Sequence, residues 1–346
     1  MEQRPIVSVP TVKTAPQGLG DTFRLKAYPR LHFGLIDLSG STPRAYGGAG
    51  ASLLGMPIEI ECQRRKSATL ALDHGPLAGD TVMTVNRAVE ISHQQGLSIS
   101  GDIRLISAPS AHVGLGSTTL TVLGILQSLA IINQWTITTE DLIRISTRGR
   151  TSGIGIGTFF TGKLIVDAGQ AGHPIGHDYL PSLAPRERRP SLTIGSWPMP
   201  EEWNISLFFA QDPPSVNPAD EVDFFRRATP LSSSDVGLQL THLYHGIIPA
   251  VLEGDLPAFA QSLQVFQKLG FKAAEISVQR TPARDLLNTL WEQGFAAGLS
   301  SFGPTIFAFH ESAANLEPGR HFPVEIVRFG PFSVNNSGFQ LKWGTE

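Results

Sequence analysis

The sequence has very little cysteine, a low charge and no long apolar run. Its single cysteine, Cys62, excludes an internal disulfide and a zinc site built from cysteines. No stretch of about 18 uninterrupted apolar residues occurs, so no membrane span is predicted. Because no apolar segment typical of a signal peptide is evident near the start, we expect a cytoplasmic protein. The net charge of −3 argues against a broad nucleic-acid surface.

The composition that remains is typical of a globular protein. Hydrophobic residues make up 41% and charged residues 16% of the chain. A length of 346 residues suits two compact domains. Predicted strands are interrupted by helix pairs without strict alternation, so we expect an α+β protein. The predicted units are an extended arm over 1–20, an N-terminal domain over 21–190 and a C-terminal domain over 191–346.

Periodicity and capping residues predict the main elements. Asp80 and Thr81 are expected to start a helix that Gly96 stops, and Thr138 with Asp141 forms a capping pair for another. A hairpin is expected over 153–167. In the second half, helices are predicted over 218–227, 233–252, 256–269 and 282–297, and strands over 191–196, 205–210, 305–310, 323–328 and 339–343. The carboxylates at the first of these helix starts, Asp220, Glu221 and Asp223, are expected to be solvated.

The strongest local signal is Pro109-Ser-Ala-His-Val-Gly-Leu-Gly-Ser-Thr-Thr, between a predicted strand and a predicted buried helix. The first N–H groups of that helix have no internal partners, and the macrodipole gives its start a partial positive charge. Gly114 and Gly116 let the backbone approach an anion closely. The stretch therefore predicts a phosphate-binding loop, and the alternative is a turn that merely caps the helix. It matches neither a Walker A loop nor the G-x-G-x-x-G fingerprint.

Three other strings concentrate glycine with polar side chains. The first is Arg30-Leu-His-Phe-Gly-Leu-Ile-Asp-Leu, followed by a glycine-rich loop with Arg44 and Tyr46. The second is Arg148-Gly-Arg-Thr-Ser-Gly-Ile-Gly-Ile-Gly, whose alternating glycines predict a strand closely approached by a phosphate, a sugar or a packed helix. The third is Gly298-Leu-Ser-Ser-Phe-Gly-Pro-Thr, which reads as a tight turn from a helix to a strand.

These strings, in this order over residues 22 to 310, resemble the GHMP kinase superfamily. They are most similar to one branch of it, the β-ribofuranosylaminobenzene 5′-phosphate synthases. The resemblance implies a GHMP kinase-like two-domain fold, with a phosphate-loop domain followed by a two-layer α/β sandwich. It also implies that 5-phosphoribosyl 1-diphosphate (PRPP) reacts with an aromatic carboxylic acid to form a C–C glycosidic bond, CO₂ and diphosphate. The resemblance also implies that the protein uses Mg²⁺ and forms a homodimer.

The resemblance also assigns roles to residues of this chain. The diphosphate is expected on His112, Gly114, Gly116, Ser117, Thr118 and Thr119. Catalytic roles are expected for His32, Arg150, Thr151 and Ser152. The acceptor acid is expected on Arg30, Arg44, Tyr46, Ser301 and Phe302, with the two arginines as candidate carboxylate forks. Asp37 and Asp167 are weak candidates for Mg²⁺, because a diphosphate usually supplies most of the ligands itself.

Two departures from the family pattern bear on which acid is the acceptor more than on the use of PRPP as the donor. The loop continues Gly116-Ser-Thr-Thr-Leu where the family has Gly-Ser-Gly-Thr-Gln, and Ala111 adds a residue before His112. An excess of arginine over lysine suggests a GC-rich bacterium. On that ground the chain resembles the C-nucleoside synthases of formycin and pyrazofurin biosynthesis. A pyrazole dicarboxylate is then the favoured acceptor, ahead of 4-aminobenzoate or 4-hydroxybenzoate.

Two other classes of function stay open. A small-molecule kinase would use ATP in the same loop, but the serine run typical of such kinases is broken and no catalytic Asp–Lys arrangement is evident. A non-catalytic ligand sensor would show an eroded loop, and this loop keeps its glycines. No general base is evident either, so the predicted reaction is one in which the acceptor loses CO₂ rather than a proton.

Overall fold

Two β-sheets and the helices that cover them make up the described chain. The structure is a computed structural model that describes residues 21–65, 69–75, 77, 79–172, 179–181, 190–210, 218–311 and 326–344. The predicted arm over 1–20 lies outside the described residues. The strands are β1 (Thr22–Ala27), β2 (Arg30–Asp37), β3 (Arg44–Leu54), β4 (Ile58–Gln63), β5 (Leu70–Asp73), β6 (Gly101–Ser107), β7 (Leu164–Asp167), β8 (Gln170–Ala171), β9 (Thr193–Trp197), β10 (Asn204–Ala210), β11 (Ala296–Leu299), β12 (Ile306–His310), β13 (Ile326–Val334) and β14 (Gln340–Trp343).

The helices occupy the faces of these sheets. None of the described helices is both long and apolar enough to cross a membrane. A π-helical stretch, Leu243–Ile247, joins two of the helices without a break. The α-helices are α1 (Gly79–Gln94), α2 (Ser117–Ile132), α3 (Thr139–Ser146), α4 (Ile154–Thr161), α5 (Pro218–Ala228), α6 (Ser233–His242), α7 (Ile248–Glu253), α8 (Leu256–Gln267), α9 (Gly270–Ser277) and α10 (Thr281–Glu292).

The first sheet has the strand order β14-β1-β4-β6-β5 and packs against α2. Alternate residues of β1, Phe23, Leu25 and Ala27, point into this core, as period-two patterning requires. Helix α2 is buried over nearly its whole length, which confirms the prediction of a core helix. Its start is therefore held rigidly between the two sheets.

The second sheet has the order β11-β12-β10-β13-β3-β7-β9, with β2 and β8 also paired to β3. It combines β3 and β7 from the first half of the chain with β10 to β13 from the second. Strand β14, at the end of the chain, returns to pair with β1. The sheets therefore cross the boundary predicted at residue 190, although the α+β class is confirmed.

Several predicted elements differ from the observed ones. The helix expected to reach residue 297 ends at Glu292, because the chain turns at Gly294 and enters β11. The third glycine string therefore joins two strands, β11 and β12, rather than a helix and a strand. Helix α9 was not predicted. The capping pair of Thr138 and Asp141 is confirmed, since each side chain accepts from the other residue's backbone N–H.

Candidate active site

A cleft of about 230 Å³ opens at the start of α2. Walls come from β2, the loop before α2, the segment before α4, helices α5 and α9, and the turn between β11 and β12. Of the predicted site residues, those that line this cleft are Arg30, His32, His112, Gly114, Gly116, Ser117, Thr118, Thr119, Thr151, Ser152, Ser301 and Phe302. Parts of all four glycine-containing strings therefore lie around one cleft.

The start of α2 forms one end of the cleft. Its N-cap, Gly116, has φ 74°, and no side chain caps the helix. The first N–H groups are therefore available to a ligand, at the positive end of the macrodipole. Ser117, Thr118 and Thr119 place hydroxyl groups beside them. This arrangement suits a phosphate or diphosphate group, and we name it the anion end.

Two arginines flank the anion end. Arg30 donates to the carbonyl of Gly114, and Arg148 donates from Nε to Thr119 Oγ1 at 3.0 Å. Burial lowers the pKa of Arg30 to about 10; the negative charge of Glu275 opposes this shift, and the positive charge of Arg148 adds to it. Burial, with the charge of Arg150, likewise lowers the pKa of Arg148. Because a guanidinium carries five N–H donors, each arginine keeps donors for an anion in the cleft.

The turn between β11 and β12 holds the phosphate loop in place. Ser300 Oγ donates to the carbonyl of Gly114 at 2.8 Å, and Thr305 Oγ1 donates to the carbonyl of Val113. A side chain at Gly114 would come within 2.4 Å of the carbonyl oxygen of Ser300, so glycine is required for this approach. The third string therefore supports the loop, while its Ser301 and Phe302 face the cleft.

A hydrogen-bonded chain runs from the cleft into the core through His32, Ser152 and Asp167. Ser152 Oγ donates to Asp167 Oδ2 at 3.3 Å and lies 3.0 Å from His32 Nε2. Since the hydroxyl has one hydrogen, His32 Nε2 donates to Ser152 when Asp167 is ionised. Burial lowers the pKa of His32 well below 6.5, with help from Arg30 and Lys272. His32 is therefore neutral near pH 7 and can accept a proton through Nδ1.

Asp167 closes this chain in the core. Its carboxylate accepts from the backbone N–H groups of Gly153 and Gly169 at 3.0 and 2.9 Å. Burial nevertheless raises its pKa to about 7, because these hydrogen bonds offset only part of the desolvation. When protonated, Asp167 can donate to Ser152, which then donates to His32. The two hydrogen bonds can therefore run from His32 toward Asp167 or from Asp167 toward His32, depending on whether Asp167 is ionised.

A second part of the cleft lining is acidic and aromatic. Helix α5 presents Glu221 and Phe225, one turn apart, and α9 presents Glu275. Phe302 lies beside them and is held edge-on by Phe224, with ring centroids 4.8 Å apart. Burial, together with the like charge of Glu275, raises the pKa of Glu221 to about 7. We name this the carboxyl end.

Sequence comparison places the chain beside archaeal synthases. It is 33% identical over 328 residues to β-ribofuranosylphenol 5′-phosphate synthase of Methanocaldococcus jannaschii, covering 90% of this chain and 98% of that protein. A synthase of the same name from Methanothermobacter thermautotrophicus is 32% identical, covering 90% of this chain and 97% of that protein. The chain belongs to this family. No protein-family model matches it.

Solved structures with the same fold include small-molecule kinases and a decarboxylase. Homoserine kinase from Cytophaga hutchinsonii has a TM-score of 0.64 at 14% identity, covering 95% of this chain and all of that one. Mevalonate diphosphate decarboxylase from Staphylococcus aureus has a TM-score of 0.58 at 12% identity, covering 93% of this chain and 98% of that one. The synthase family member therefore has the GHMP kinase-like fold, as the sequence predicted.

The second string of this synthase family member forms a helix and not a strand. Gly153 caps α4, and the next two glycines of the string lie within that helix. A side chain at Gly155 would meet Thr119 at 3.3 Å, and one at Gly157 would meet Ile165 at 2.8 Å. These glycines therefore let α4 pack closely on α2 and β7. Close protein packing is therefore observed at both positions, and Gly155 also lines the cleft.

Two predicted acceptor residues lie away from the cleft. Arg44 donates to the carbonyls of Ala168 and Gly169 at 2.7 and 2.8 Å, so its planar fork binds backbone rather than a ligand. Tyr46 is buried, and its hydroxyl donates to the carbonyl of Leu180 at 3.2 Å. Both predictions are corrected, because a glycine-rich loop beside a strand can fold back on the protein as readily as it can face a ligand.

The predicted metal ligands do not form a site. Asp167 is committed to backbone N–H groups, and Asp37 accepts from the hydroxyls of Ser39 and Thr42 outside the cleft. Within the described residues, no group of three or more His, Cys, Asp or Glu side chains is placed to hold a metal ion. The protein side chains proposed for Mg²⁺ therefore do not fit that ion.

Sequence reasoning missed four charged or aromatic side chains of the cleft. Arg148 lines it, whereas Arg150, two positions later, does not. Glu221 was expected to be solvated, but it faces the cleft together with Phe225 and Glu275. The pairing of Glu221 and Phe225 four residues apart is the only local signal, and many amphipathic surface helices share it.

Proposed function

We propose that this protein is a decarboxylative C-glycoside synthase that joins the ribose 5-phosphate of PRPP to a ring carbon of an aromatic carboxylic acid. The bond from the anomeric carbon to diphosphate breaks, and a C–C bond to the ring forms. The bond from the ring to its carboxylate then breaks, its electrons return to the ring, and CO₂ leaves. No net proton is required.

The observation that carries this proposal is the polarity of the cleft. One end offers helix N–H groups, hydroxyls, Arg30 and Arg148 to an anion. The other end offers the rings of Phe225 and Phe302 to an aromatic group. A diphosphate donor and an aromatic acceptor would therefore meet between the two ends. Family membership supports the same chemistry, since the archaeal relatives are named for a ribofuranosylphenol 5′-phosphate product.

The anion end would do most of the catalysis. Departure of diphosphate leaves an oxocarbenium-like ribosyl group, so donors already oriented toward the leaving anion lower the barrier. Within a partly dry cleft such donors act more strongly than in water. Arg30 and Arg148 are fixed by Gly114 and Thr119 before any ligand binds, which limits the reorganisation that the reaction requires.

No general base is evident from the sequence alone, but His32 is a candidate for one. It is neutral, lines the cleft and connects to Asp167 through Ser152. A group able to accept a proton is therefore present, and decarboxylation is inferred from the product named for the relatives rather than from the lack of a base.

The acceptor class has two branches. The named product of the archaeal relatives supports an acid of the 4-hydroxybenzoate type, with 4-aminobenzoate beside it. The pyrazole dicarboxylate stays a prediction that rests on the arginine-rich composition. We also propose a homodimer, and Mg²⁺ bound through diphosphate oxygens without a protein carboxylate. No step described here depends on that ion.

The test is a set of incubations with PRPP, ATP and a panel of aromatic acids, in which CO₂, diphosphate and ADP are followed. Diphosphate release that requires both PRPP and an aromatic acid is the expected result. ADP formation with a phosphorylated product would replace the proposal with a kinase. Binding of ligands without turnover would favour a sensor on the same fold.

A further inference from the structure

The carboxyl end of the cleft contains two acidic side chains of different character. Glu275 is buried and paired with the ammonium group of Lys272, which also donates to the carbonyl of Ser301 at 2.6 Å. The charge of Arg30 stabilises the same carboxylate. Glu275 is therefore already compensated by the protein and supports the turn that carries Ser301.

Glu221 is not compensated in this way. Among the described residues, no hydrogen bond or ion pair reaches its carboxyl group, and the like charge of Glu275 acts on it. It is nevertheless half-buried and faces the cleft rather than bulk water. A partly desolvated carboxylate without a donor is unfavourable, so a bound ligand that supplies a donor would relieve that cost.

The neighbours of Glu221 define the shape of such a ligand. Phe225 lies one turn further along α5, and Phe302 is held in place by Phe224. Flat rings can therefore pack against these side chains with an edge toward Glu221. Arg30 and Arg148 attract an anionic substituent, whereas the carboxylate of Glu221 repels it and attracts a hydrogen-bond donor.

We infer that Glu221 selects acceptors by accepting a hydrogen bond from a ring substituent, a phenol O–H, an amine N–H or an azole N–H. This inference rests on the proposed function and narrows its substrate class: the acceptor is an aromatic acid that carries a hydrogen-bond donor on its ring. Acids whose donor is blocked by a methyl group are poor ligands. A hydroxy acid and an N–H pyrazole acid both satisfy the requirement.

The experiment measures binding in the presence of inorganic diphosphate and Mg²⁺, so that no turnover occurs. The probes are two matched pairs, 4-hydroxybenzoate with 4-methoxybenzoate, and pyrazole dicarboxylate with its N-methyl derivative. Of the two parent acids, the one that binds more tightly should have an affinity about tenfold or more above that of its methylated partner. This is the expected contribution of a hydrogen bond to a charged group. Glu221→Gln should reduce that ratio to about threefold or less, because a neutral amide is a weaker acceptor than a carboxylate and can itself donate to the methoxy oxygen.

The matched control is Asp223→Asn, which removes an exposed carboxylate from the same helix. It should keep the wild-type ratio, and thermal melting of both variants checks that they fold. The inference is overturned if Glu221→Gln keeps the full ratio, if the wild type binds each methylated acid as tightly as its parent, or if none of the four acids binds. Selective binding without diphosphate release from PRPP would instead overturn the proposed function alone.

Discussion

The two ends of the cleft are built in different ways. The anion end uses backbone N–H groups and hydroxyls that are consecutive in the sequence, at the start of a helix buried in the core. The carboxyl end uses side chains from α5, α9 and the turn after β11, which meet only in the folded chain. The first end is positive and preformed. The second contains the carboxyl group of Glu221, to which none of the described residues donates a hydrogen bond. This difference gives the cleft a direction along which two unlike substrates can be aligned.

The largest effect is expected from Arg148, which lines the anion end of the cleft, whereas Arg150 does not. Arg148→Met removes a charged donor beside Thr119 and should weaken PRPP binding about 10- to 100-fold. Arg150→Met is the matched control and should change PRPP binding by about threefold or less, because that side chain does not line the cleft. Equal losses in calorimetric titrations of the two variants would contradict this assignment.

Gly116 tests whether close backbone approach is needed at the anion end. A side chain there would have a strained φ and would meet Arg30 at 3.2 Å, so Gly116→Val should weaken PRPP binding by about tenfold. Gly96→Val has a similar positive φ, with no atom within 4 Å of the added side chain. It carries the backbone strain without the clash. If both variants lose the same affinity, the effect is general strain and not a loss of the site.

Arg44 sharpens the contrast between residues that face the cleft and residues that support it. Arg44→Lys keeps the charge but loses the two parallel bonds to the carbonyls of Ala168 and Gly169. We expect a loss of about 1–2 kcal/mol in the free energy of unfolding, with the acceptor's KM unchanged. Denaturant titration and steady-state kinetics measure the two quantities. A raised KM for the acid at unchanged stability would return Arg44 to the acceptor site.

The smallest expected effect concerns Asp167 and pH. Its pKa is raised from 3.8 to about 7 in the folded protein, so the folded state holds the proton more tightly than the unfolded state. The resulting stabilisation is present at acidic pH and is lost as pH rises between these two values. Relative to wild type, Asp167→Asn should therefore gain a few degrees in melting temperature from pH 5 to pH 8. If the melting temperatures of the two proteins change by the same amount between pH 5 and pH 8, the raised pKa is wrong.

What could be predicted from the sequence follows the same division. The loop before α2 could be singled out because its glycines, hydroxyls and helix start are adjacent along the chain. The first and third strings were also placed correctly near it, through His32 and Ser301. Local patterns of this kind constrain backbone geometry directly, since a positive φ or a helix start has its own residue preferences.

The remaining features could not be predicted from local patterns. The alternating glycines before Phe159 fit a strand as well as a helix that packs closely, and only the contacts with Thr119 and Ile165 decide between them. Arg44 and Arg148 have the same chemistry, and their roles depend on which atoms lie within reach in the fold. Glu221 has the spacing of an ordinary helix surface, so its burial depends on α9 and the turn near Phe302.

The central claim is that diphosphate departure is coupled to loss of the acceptor's carboxylate. The most direct measurement incubates the protein with PRPP, Mg²⁺ and 4-hydroxybenzoate labelled with ¹³C in the carboxyl group, and follows labelled CO₂ and diphosphate together. The account predicts that the two appear in a one-to-one ratio and that the product has an acid-stable C–C glycosidic bond. Diphosphate release with the label retained in an acid-labile product would contradict it.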